Sequence, residues 1–203
     1  MTPPTNIPLC LFPSAHWFAL CAKHPGINPQ ETYLKQTYRN RFDILGVNGR
    51  LSLTVPVEGQ KGLKTPMKDI RITGTSWRKQ HLATLRSSYG RAAYFDHYFE
   101  RIEQCFLHTE TFLFDLNLRA LDTLQLCGIA MDVQIADEPW AYAPGDSSYL
   151  WEPAHSWPKL PSYPQVFSDR HPFSSGLSIL DVIMNKGPLA DSYIQQVINT
   201  PVE

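Results

Sequence analysis

The pattern of apolar and polar residues along this chain predicts strands and helices that follow one another. Ile7–Phe12 is apolar throughout and is bounded by prolines, which predicts a short buried strand. Arg41–Val47 and Arg50–Val57 flank Asn48-Gly49, a pair that tolerates positive φ, so these two runs predict a β-hairpin. The remaining predicted strands are Lys68–Thr73 and Ile129–Ala136.

Apolar residues also recur at helical spacing. Ala92–Phe106 carries such a stripe, which predicts an amphipathic helix facing the core. Capping residues and glycine or proline terminators predict the other helices, which are Ala15–Lys23, a helix from Thr75 or Ser76 to Tyr89, Thr111–Cys127, Ser178–Lys186 and Pro188–Ile198. Helices between strands predict an α/β fold, a mixed β-sheet with flanking helices, of which a Rossmann-like arrangement is one form.

Glu138–Gly176 has no such periodicity. It contains seven prolines and eight aromatic residues, among them Trp140, Trp151 and Trp157. Disorder would leave this aromatic surface in water, so we expect an ordered loop. The loop packs on the domain, covers a site or meets a second subunit, so a homo-oligomer is one alternative. The prediction is a single domain, 1–203, with residues 138–176 as a long loop before two C-terminal helices.

Composition changes this picture little, at 43% hydrophobic and 18% charged residues. No apolar run reaches the roughly 18 to 20 residues of a transmembrane segment. The N-terminal region lacks the basic segment of a signal peptide. The cysteines are widely spaced with no C-x-x-C, which is typical of reduced thiols, and the histidines show no metal-ligand spacing. We therefore expect a cytoplasmic protein with no metal site.

The net charge of −1 hides an uneven distribution. Residues 1–91 hold 13 Lys and Arg against 4 Asp and Glu, whereas residues 92–203 hold 5 against 15. Two halves that attract each other explain this division, and so does a basic surface for a phosphorylated or acidic ligand beside an acidic outer face. Overall neutrality argues against nucleic acid as the partner.

Candidate chemistry concentrates in Tyr33–Val57, where two tyrosines and four basic residues lie close together, namely Tyr33, Tyr38, Lys35, Arg39, Arg41 and Arg50. Guanidinium groups match phosphate and carboxylate oxygens, so the stretch suits an anionic ligand. If the chain is extended here, Arg39 and Arg41 project from one face and Asn40 from the other. A solvated face of hairpin charges is the alternative.

Two histidines near predicted helices add to the candidates. His16 lies in the first turn of its helix, where it could face a phosphate or act as a structural donor. His81 lies one turn from Trp77, in a site or at the edge of the core. In the C-terminal helices, Ser178 and Asp181 have capping-box spacing, and Asn185 falls in the last turn.

Three stretches together resemble the WbqC-like family of bacterial proteins. They are Y-x-K-x-x-Y-R-N-R from Tyr33 to Arg41, W-x-x-x-H followed by Y-x-x-A-x-Y-F from Trp77 to Phe95, and Y-x-Q followed by G-L-S-I-L-D-V-I-M-N-K-G-P from Tyr163 to Pro188. The family residues that carry over by position are Lys35, Arg39, Asn40, Arg41, Trp77, His81, Asp181 and Asn185.

The resemblance implies a role in O-antigen or other surface-polysaccharide biosynthesis, where members of the family have been proposed to transfer glycine to sugars. One hypothesis is a transferase that binds a nucleotide or nucleotide sugar through the basic residues with Tyr33, Trp77, His16, Asp181 and Asn185, and uses His81 as general base. Its partner is then a phosphorylated or nucleotide-activated small molecule. The other hypothesis is a non-catalytic protein that binds an anionic ligand or assembles a polysaccharide-synthesis pathway.

Overall fold

Six α-helices packed around one large apolar core, with a β-hairpin among them, form the framework of the described residues. The structure is a computed structural model that describes residues 7–23, 26–58, 64–135 and 159–199. The core draws side chains from the N-terminal segment, the hairpin and all six α-helices of the described residues. The predicted α/β class is confirmed by this mixture of helices and small sheets.

The helices form where the sequence predicts them, with shifted ends. They are α1 Ala15–Cys21, α2 Ser76–Tyr89, α3 Phe95–Leu107, α4 Leu113–Leu126, α5 Ile179–Lys186 and α6 Ala190–Ile198. The start of α3 moves from Ala92 to Phe95, and the N–H of Tyr94 instead donates to the carbonyl of Met184 at 3.1 Å. Pro188 falls in a 3₁₀ turn, Gly187–Leu189, so α6 begins two residues later than predicted.

The strands differ more from the prediction. Within the described ranges there are two separate two-stranded sheets, where a single mixed or Rossmann-like sheet was expected. In one, β1 Gly26–Ile27 pairs in parallel with β4 Gln134–Ile135. In the other, β2 Arg41–Gly46 pairs antiparallel with β3 Gly49–Thr54.

Two predicted strands do not form ladders. Ile7–Phe12 is buried as predicted, but it makes scattered backbone bonds, such as Leu11 N–H to the Tyr38 carbonyl at 3.1 Å. The first two residues of Lys68–Thr73 belong to a 3₁₀ turn, Met67–Asp69. Arg71 and Ile72 then form isolated β-bridges with Phe112 and Val57. Apolar content correctly predicted burial in the first case, but regular pairing depends on partners that local sequence does not specify.

The hairpin turn lies one residue earlier than Asn48-Gly49. Gly46 pairs with Gly49, so Val47 and Asn48 form the loop. Only Gly49 takes a positive φ there, +105°, a conformation that glycine adopts without steric cost. Both faces of β2 are covered, which explains why four consecutive residues from Phe42 to Leu45 are buried.

The described part of the long loop packs on the second face of this hairpin. Phe167 and Leu177 form a small apolar cluster with Leu45. A ring nitrogen of His171 lies 2.9 Å from the Val47 carbonyl. Residues 159–176 contain no helix or strand, as predicted. Residues 138–158, which include the three tryptophans of the predicted loop, lie outside the described residues.

Two further observations concern the membrane and the thiols. Among the described residues, no helix has the length and apolar character needed to span a membrane.

All four cysteines, Cys10, Cys21, Cys105 and Cys127, are free thiols and buried. Burial raises the pKa of Cys21 and Cys105 to about 12 and that of Cys127 to about 11, which makes these thiols unreactive in the folded protein.

Candidate functional site

A small depression lies where the N-terminal segment, β2 and the start of α5 meet. It is lined by Cys10, Leu11, Phe12, Pro13, Ser14, Tyr38, Phe42, Asp43, Gly176 and Ser178. Backbone bonds hold the three segments together, since Ser178 N–H donates to the Asp43 carbonyl and Ile179 N–H to the Pro13 carbonyl, both at 2.8 Å. The Ser178 hydroxyl donates to the Phe12 carbonyl at 2.8 Å.

The backbone at this depression is strained. Phe12 has a φ of +40°, which non-glycine residues rarely adopt, and it directly precedes a proline. Its buried ring packs against the rings of Phe42 and Phe106, each with a centroid separation of 5.4 Å. Packing therefore stabilises the strained turn. Strain of this kind concentrates at functional sites, which makes the depression the candidate site.

Asp43 is the buried charged residue of the depression, with 3% of its surface exposed. Its carboxylate accepts hydrogen bonds from the hydroxyl of Tyr38 at 2.8 Å, from Nη1 of Arg50 at 3.2 Å and from the hydroxyl of Ser52. We call these four residues the Asp43 cluster. A carboxylate has about four lone-pair sites, so these three donors leave about one for a ligand.

Arg50 extends the cluster toward the C-terminal loop. Its Nη2 donates to the Ser174 hydroxyl at 3.5 Å and to the carbonyl of Ser175. Gly176, with φ of +72°, lies between this guanidinium and the ring of His16. A Cβ added to it would sit 3.6 Å from His16 Cε1 and 3.9 Å from Arg50 Nη2. The imidazole, the guanidinium and the Asp43 carboxylate therefore border one small region.

Arg39 and Asn40 occupy structural positions. The Arg39 side chain is 1% exposed and forms two hydrogen bonds with the Glu31 carboxylate, Nη2 to Oε2 at 2.8 Å and Nε to Oε1 at 3.2 Å. It also donates to the Thr37 hydroxyl at 3.3 Å. Asn40 donates through its side chain to the Val55 carbonyl at 2.8 Å. This arginine already has a carboxylate partner, Glu31. Phosphate binding by Arg39 stays a prediction.

Three other candidates from Tyr33–Val57, namely Tyr33, Lys35 and Arg41, lie outside the lining of the depression. Lys35 is exposed. Tyr33 is half-buried, and its burial raises the pKa of its hydroxyl, an effect that the nearby charges of Arg41 and Arg39 oppose. Nε of Arg41 is buried without a hydrogen-bond partner among the described residues. Arg41 therefore has donor capacity left, although the depression is lined by other residues.

His81 and Trp77 lie in the aromatic core. The His81 ring is 5.1 Å from the Trp77 ring and 6.0 Å from each of the Phe42 and Phe106 rings, measured between centroids. Burial lowers the pKa of His81 to about 4, and a hydrogen bond to the backbone of Thr54 partly opposes that shift. A neutral, buried imidazole among aromatic rings is typical of a residue that packs in the core. The general-base role of His81 stays a prediction.

Asp181 is completely buried, but its carboxylate does not form the capping box that the spacing predicts. Oδ2 accepts hydrogen bonds from the Tyr163 hydroxyl at 2.7 Å and from Nε2 of Gln165 at 2.8 Å. The Ser178 hydroxyl caps α5 by accepting from Leu180 N–H at 3.2 Å. Burial raises the pKa of Asp181, and its hydrogen bonds oppose this. Asn185 donates to the Asp181 backbone carbonyl at 2.8 Å.

The predicted site residues therefore do not all meet. His16 borders the depression, whereas Arg39, His81 and Asp181 occupy three different buried environments. Sequence reasoning missed Asp43, although a signal was present. A carboxylate within the apolar run F-D-I-L of a buried strand is an unusual polar residue, and a buried polar residue is more informative than an exposed apolar one.

Comparison with known proteins adds one finding. The model of the WbqC-like protein family matches residues 24–146, which is more than half of the 203 residues. The chain belongs to the WbqC-like protein family. No curated protein and no solved structure matches it.

The WbqC-like match covers only part of the candidate site. All four residues of the Asp43 cluster fall within residues 24–146. The strained Phe12-Pro13 turn, His16 and Gly176 fall outside that range. The depression is therefore assembled from the matched segment and from the chain on either side of it.

Proposed function

We propose that this WbqC-like protein is a transferase of bacterial surface-polysaccharide biosynthesis that acts on a nucleotide-activated or lipid-linked sugar. Transfer of an aminoacyl group such as glycyl is the reaction we favour. Family membership supports the pathway, and the Asp43 cluster at a strained turn is the observation that carries the site assignment.

The chemistry of the depression fits a sugar that bears a phosphate. Asp43 has about one acceptor position left, which a sugar hydroxyl would fill. Arg50, whose side chain is 40% exposed, would donate to phosphate oxygens, for which a guanidinium fork is well suited. His16, which borders the same region, is the imidazole we propose as the base that accepts the proton of the acceptor group.

A non-catalytic binding protein is the second candidate. The depression is small, about 10 Å³, close to the 10 to 15 Å³ that one water molecule requires. A ligand would therefore lie across the mouth of the depression. Surface binding of this kind also suits a protein that presents a glycolipid or holds a pathway partner.

The proposal is tested by titrating nucleotide sugars against the wild-type protein and two variants. Asp43→Asn and Arg50→Gln should each weaken binding about ten- to a hundred-fold, because each removes one charge-assisted contact. Lys35→Gln is the control, since Lys35 is an exposed basic residue outside the depression. Circular dichroism checks that each variant is folded.

The outcomes separate the two candidates. Binding that depends on Asp43 and Arg50, together with transfer that is lost in His16→Gln, supports the transferase. The same binding dependence without turnover supports the binding protein. Equal binding by wild-type protein and both folded variants would show that the depression is not the site.

A further inference from the structure

A second concave surface lies between α2 and α3, outside the depression that contains the Asp43 cluster. Its volume is about 410 Å³, and it is lined by Thr75, Arg78, Lys79, Leu82, Ala83, Arg86, Glu103 and Leu107. We call it the α2–α3 groove. Ligand pockets for small molecules typically measure about 300 to 1,000 Å³, so the groove has the size of a ligand site.

The groove is basic. Three of its lining residues are cations and one is a carboxylate. Glu103 pairs with Arg86, Oε1 to Nη2 at 2.6 Å, which leaves Arg78 and Lys79 without a carboxylate partner in the lining. Helix α2 itself contains no acidic residue. The groove therefore favours a negatively charged ligand.

Arg78 has hydrogen-bonding capacity that the protein does not use. A guanidinium carries five N–H donors. Among the described residues, Nη2 of Arg78 reaches the Glu110 carbonyl at 3.5 Å, and its Nε is buried without a hydrogen-bond partner. The guanidinium stacks on Trp77, 4.5 Å from the ring centroid. Arg78 lines the groove, so its N–H groups that have no protein acceptor can donate to an anion bound there.

The groove also offers apolar surface beside these cations. Leu82 and Ala83 come from α2, and Leu107, at the end of α3, is 56% exposed. Cations beside apolar side chains in a groove of this size suit a small amphiphile with a charged head and an apolar chain.

We infer that the α2–α3 groove binds the phosphate headgroup of an anionic lipid. Arg78 and Lys79 contact the phosphate oxygens, and the first methylenes of the lipid chain lie against Leu82, Ala83 and Leu107. The groove is distinct from the proposed sugar site, since no residue lines both surfaces.

Vesicle co-sedimentation tests the inference. Wild-type protein should bind vesicles of phosphatidylcholine with one-fifth phosphatidylglycerol and should not bind phosphatidylcholine alone. Each basic residue near an anionic surface is worth about 1 kcal/mol, or about fivefold in affinity. Because a charge reversal changes the charge by two, Lys79→Glu and Arg78→Glu should each weaken binding about 25-fold. If Arg78→Glu does not fold, Arg78→Gln takes its place and should weaken vesicle binding about fivefold.

Lys68→Glu is the matched control, because Lys68 is exposed and lies outside the groove. This substitution changes the net charge by the same amount as Lys79→Glu. It should leave binding nearly unchanged. Arg50→Gln should also bind vesicles normally, so that failure of the lipid site and failure of the sugar site are told apart. An equal loss with Lys68→Glu and Lys79→Glu would overturn the inference in favour of diffuse charge attraction.

Two soluble probes test whether the ligand is a lipid. Dihexanoyl phosphatidic acid should bind at least tenfold more tightly than inorganic phosphate, and Leu107→Asn should weaken only the lipid. Equal affinity for both would reduce the groove to a phosphate site and overturn the lipid assignment. If light scattering shows a wild-type dimer that Arg78→Gln converts to monomer, the occupant is a second copy of this chain, and the inference fails.

Discussion

Arg39 shows how a single residue can satisfy a sequence motif and serve the fold. It lies in the basic-aromatic stretch that suggests an anionic ligand, yet its side chain is 1% exposed and bonded to Glu31. The sequence contains both residues, eight positions apart, but no local pattern pairs them. The pairing depends on how the chain folds back before β2, and this is why the ion pair with Glu31 could not be predicted from the sequence.

Arg39→Ala should lower the free energy of unfolding by about 2 to 4 kcal/mol, because it removes a buried guanidinium and both of its hydrogen bonds to the Glu31 carboxylate. Urea denaturation measures the change. Lys35→Ala, in the same stretch but exposed, should stay within about 0.5 kcal/mol of wild type. If Arg39→Ala is as stable as Lys35→Ala but loses ligand binding, the phosphate-binding prediction is correct instead.

His81 should make the protein less stable in acid. Its pKa falls from 6.5 to about 4 on folding, so between these values the unfolded chain binds more protons. Lowering the pH from 7 to 4.5 should therefore cost about 2 to 3 kcal/mol of unfolding free energy from this residue. His81→Gln should remove that part of the pH dependence, as measured by urea denaturation at both pH values.

The exposed Gln80, on the same helix, supplies the control for this measurement, since Gln80→Ala removes no titratable group and should keep the wild-type pH dependence. If His81→Gln keeps the wild-type pH dependence, the lowered pKa of His81 is not the cause of the acid sensitivity. Turnover is a separate measurement, and its loss in the folded His81→Gln variant would support the general-base role.

At the scale of elements, helices were predicted well and strands poorly, for one physical reason. A helix closes its hydrogen bonds within four residues, so the apolar stripe of α3 and the Gly187 terminator of α5 are enough to indicate it. A strand needs a partner elsewhere in the chain. Ile7–Phe12 has the composition of a strand, and its neighbours in the fold offer it only scattered bonds.

Gly187 lies between α5 and α6 and packs closely against the ring of Tyr94. Its φ is +55°, and a Cβ would come within 2.4 Å of the Tyr94 ring. Gly187→Ala should therefore be more destabilising than Gly74→Ala, whose φ of +65° is similar but which has nothing within 4 Å. We expect about 1 kcal/mol at Gly74 from backbone strain, and at least about 2 kcal/mol more at Gly187.

Thermal or urea denaturation of the two glycine variants gives the difference directly. A double variant, Gly187→Ala with Tyr94→Ala, should recover part of the loss, because the ring that the new methyl group overlaps is gone. Equal destabilisation at Gly74 and Gly187 would mean that the contact with Tyr94 relaxes freely.

For the whole molecule, the uneven charge distribution has a partial explanation. Of the ion pairs between described residues, only Arg86–Glu103 joins residues 1–91 to residues 92–203. Two of the four carboxylates in the first half, Glu31 and Asp43, are bonded to arginines of that same half. Within the described ranges, ion pairing between the halves is thus limited to one pair, and cations such as Arg78 and Lys79 line the α2–α3 groove instead.

A buried polar network holds the C-terminal loop against the rest of the molecule. Gln165 donates to Asp181 at 2.8 Å and forms two further bonds with the Ser174 backbone, at 2.9 and 3.1 Å. Gln165→Ala should therefore loosen residues 159–177 and increase their amide hydrogen exchange, with α3 and α4 unchanged. The exposed Ser162→Ala should leave exchange unchanged. Uniformly faster exchange would mean that the loop and the core open as one unit.

The four buried thiols can report where the folded structure opens locally. They lie in the N-terminal segment, at the end of α1, within α3 and just after α4. An alkylating reagent can reach each sulfur only after the surrounding structure has moved aside. The order in which the four sites are labelled under native conditions would therefore rank these regions by how often they open, with no probe introduced.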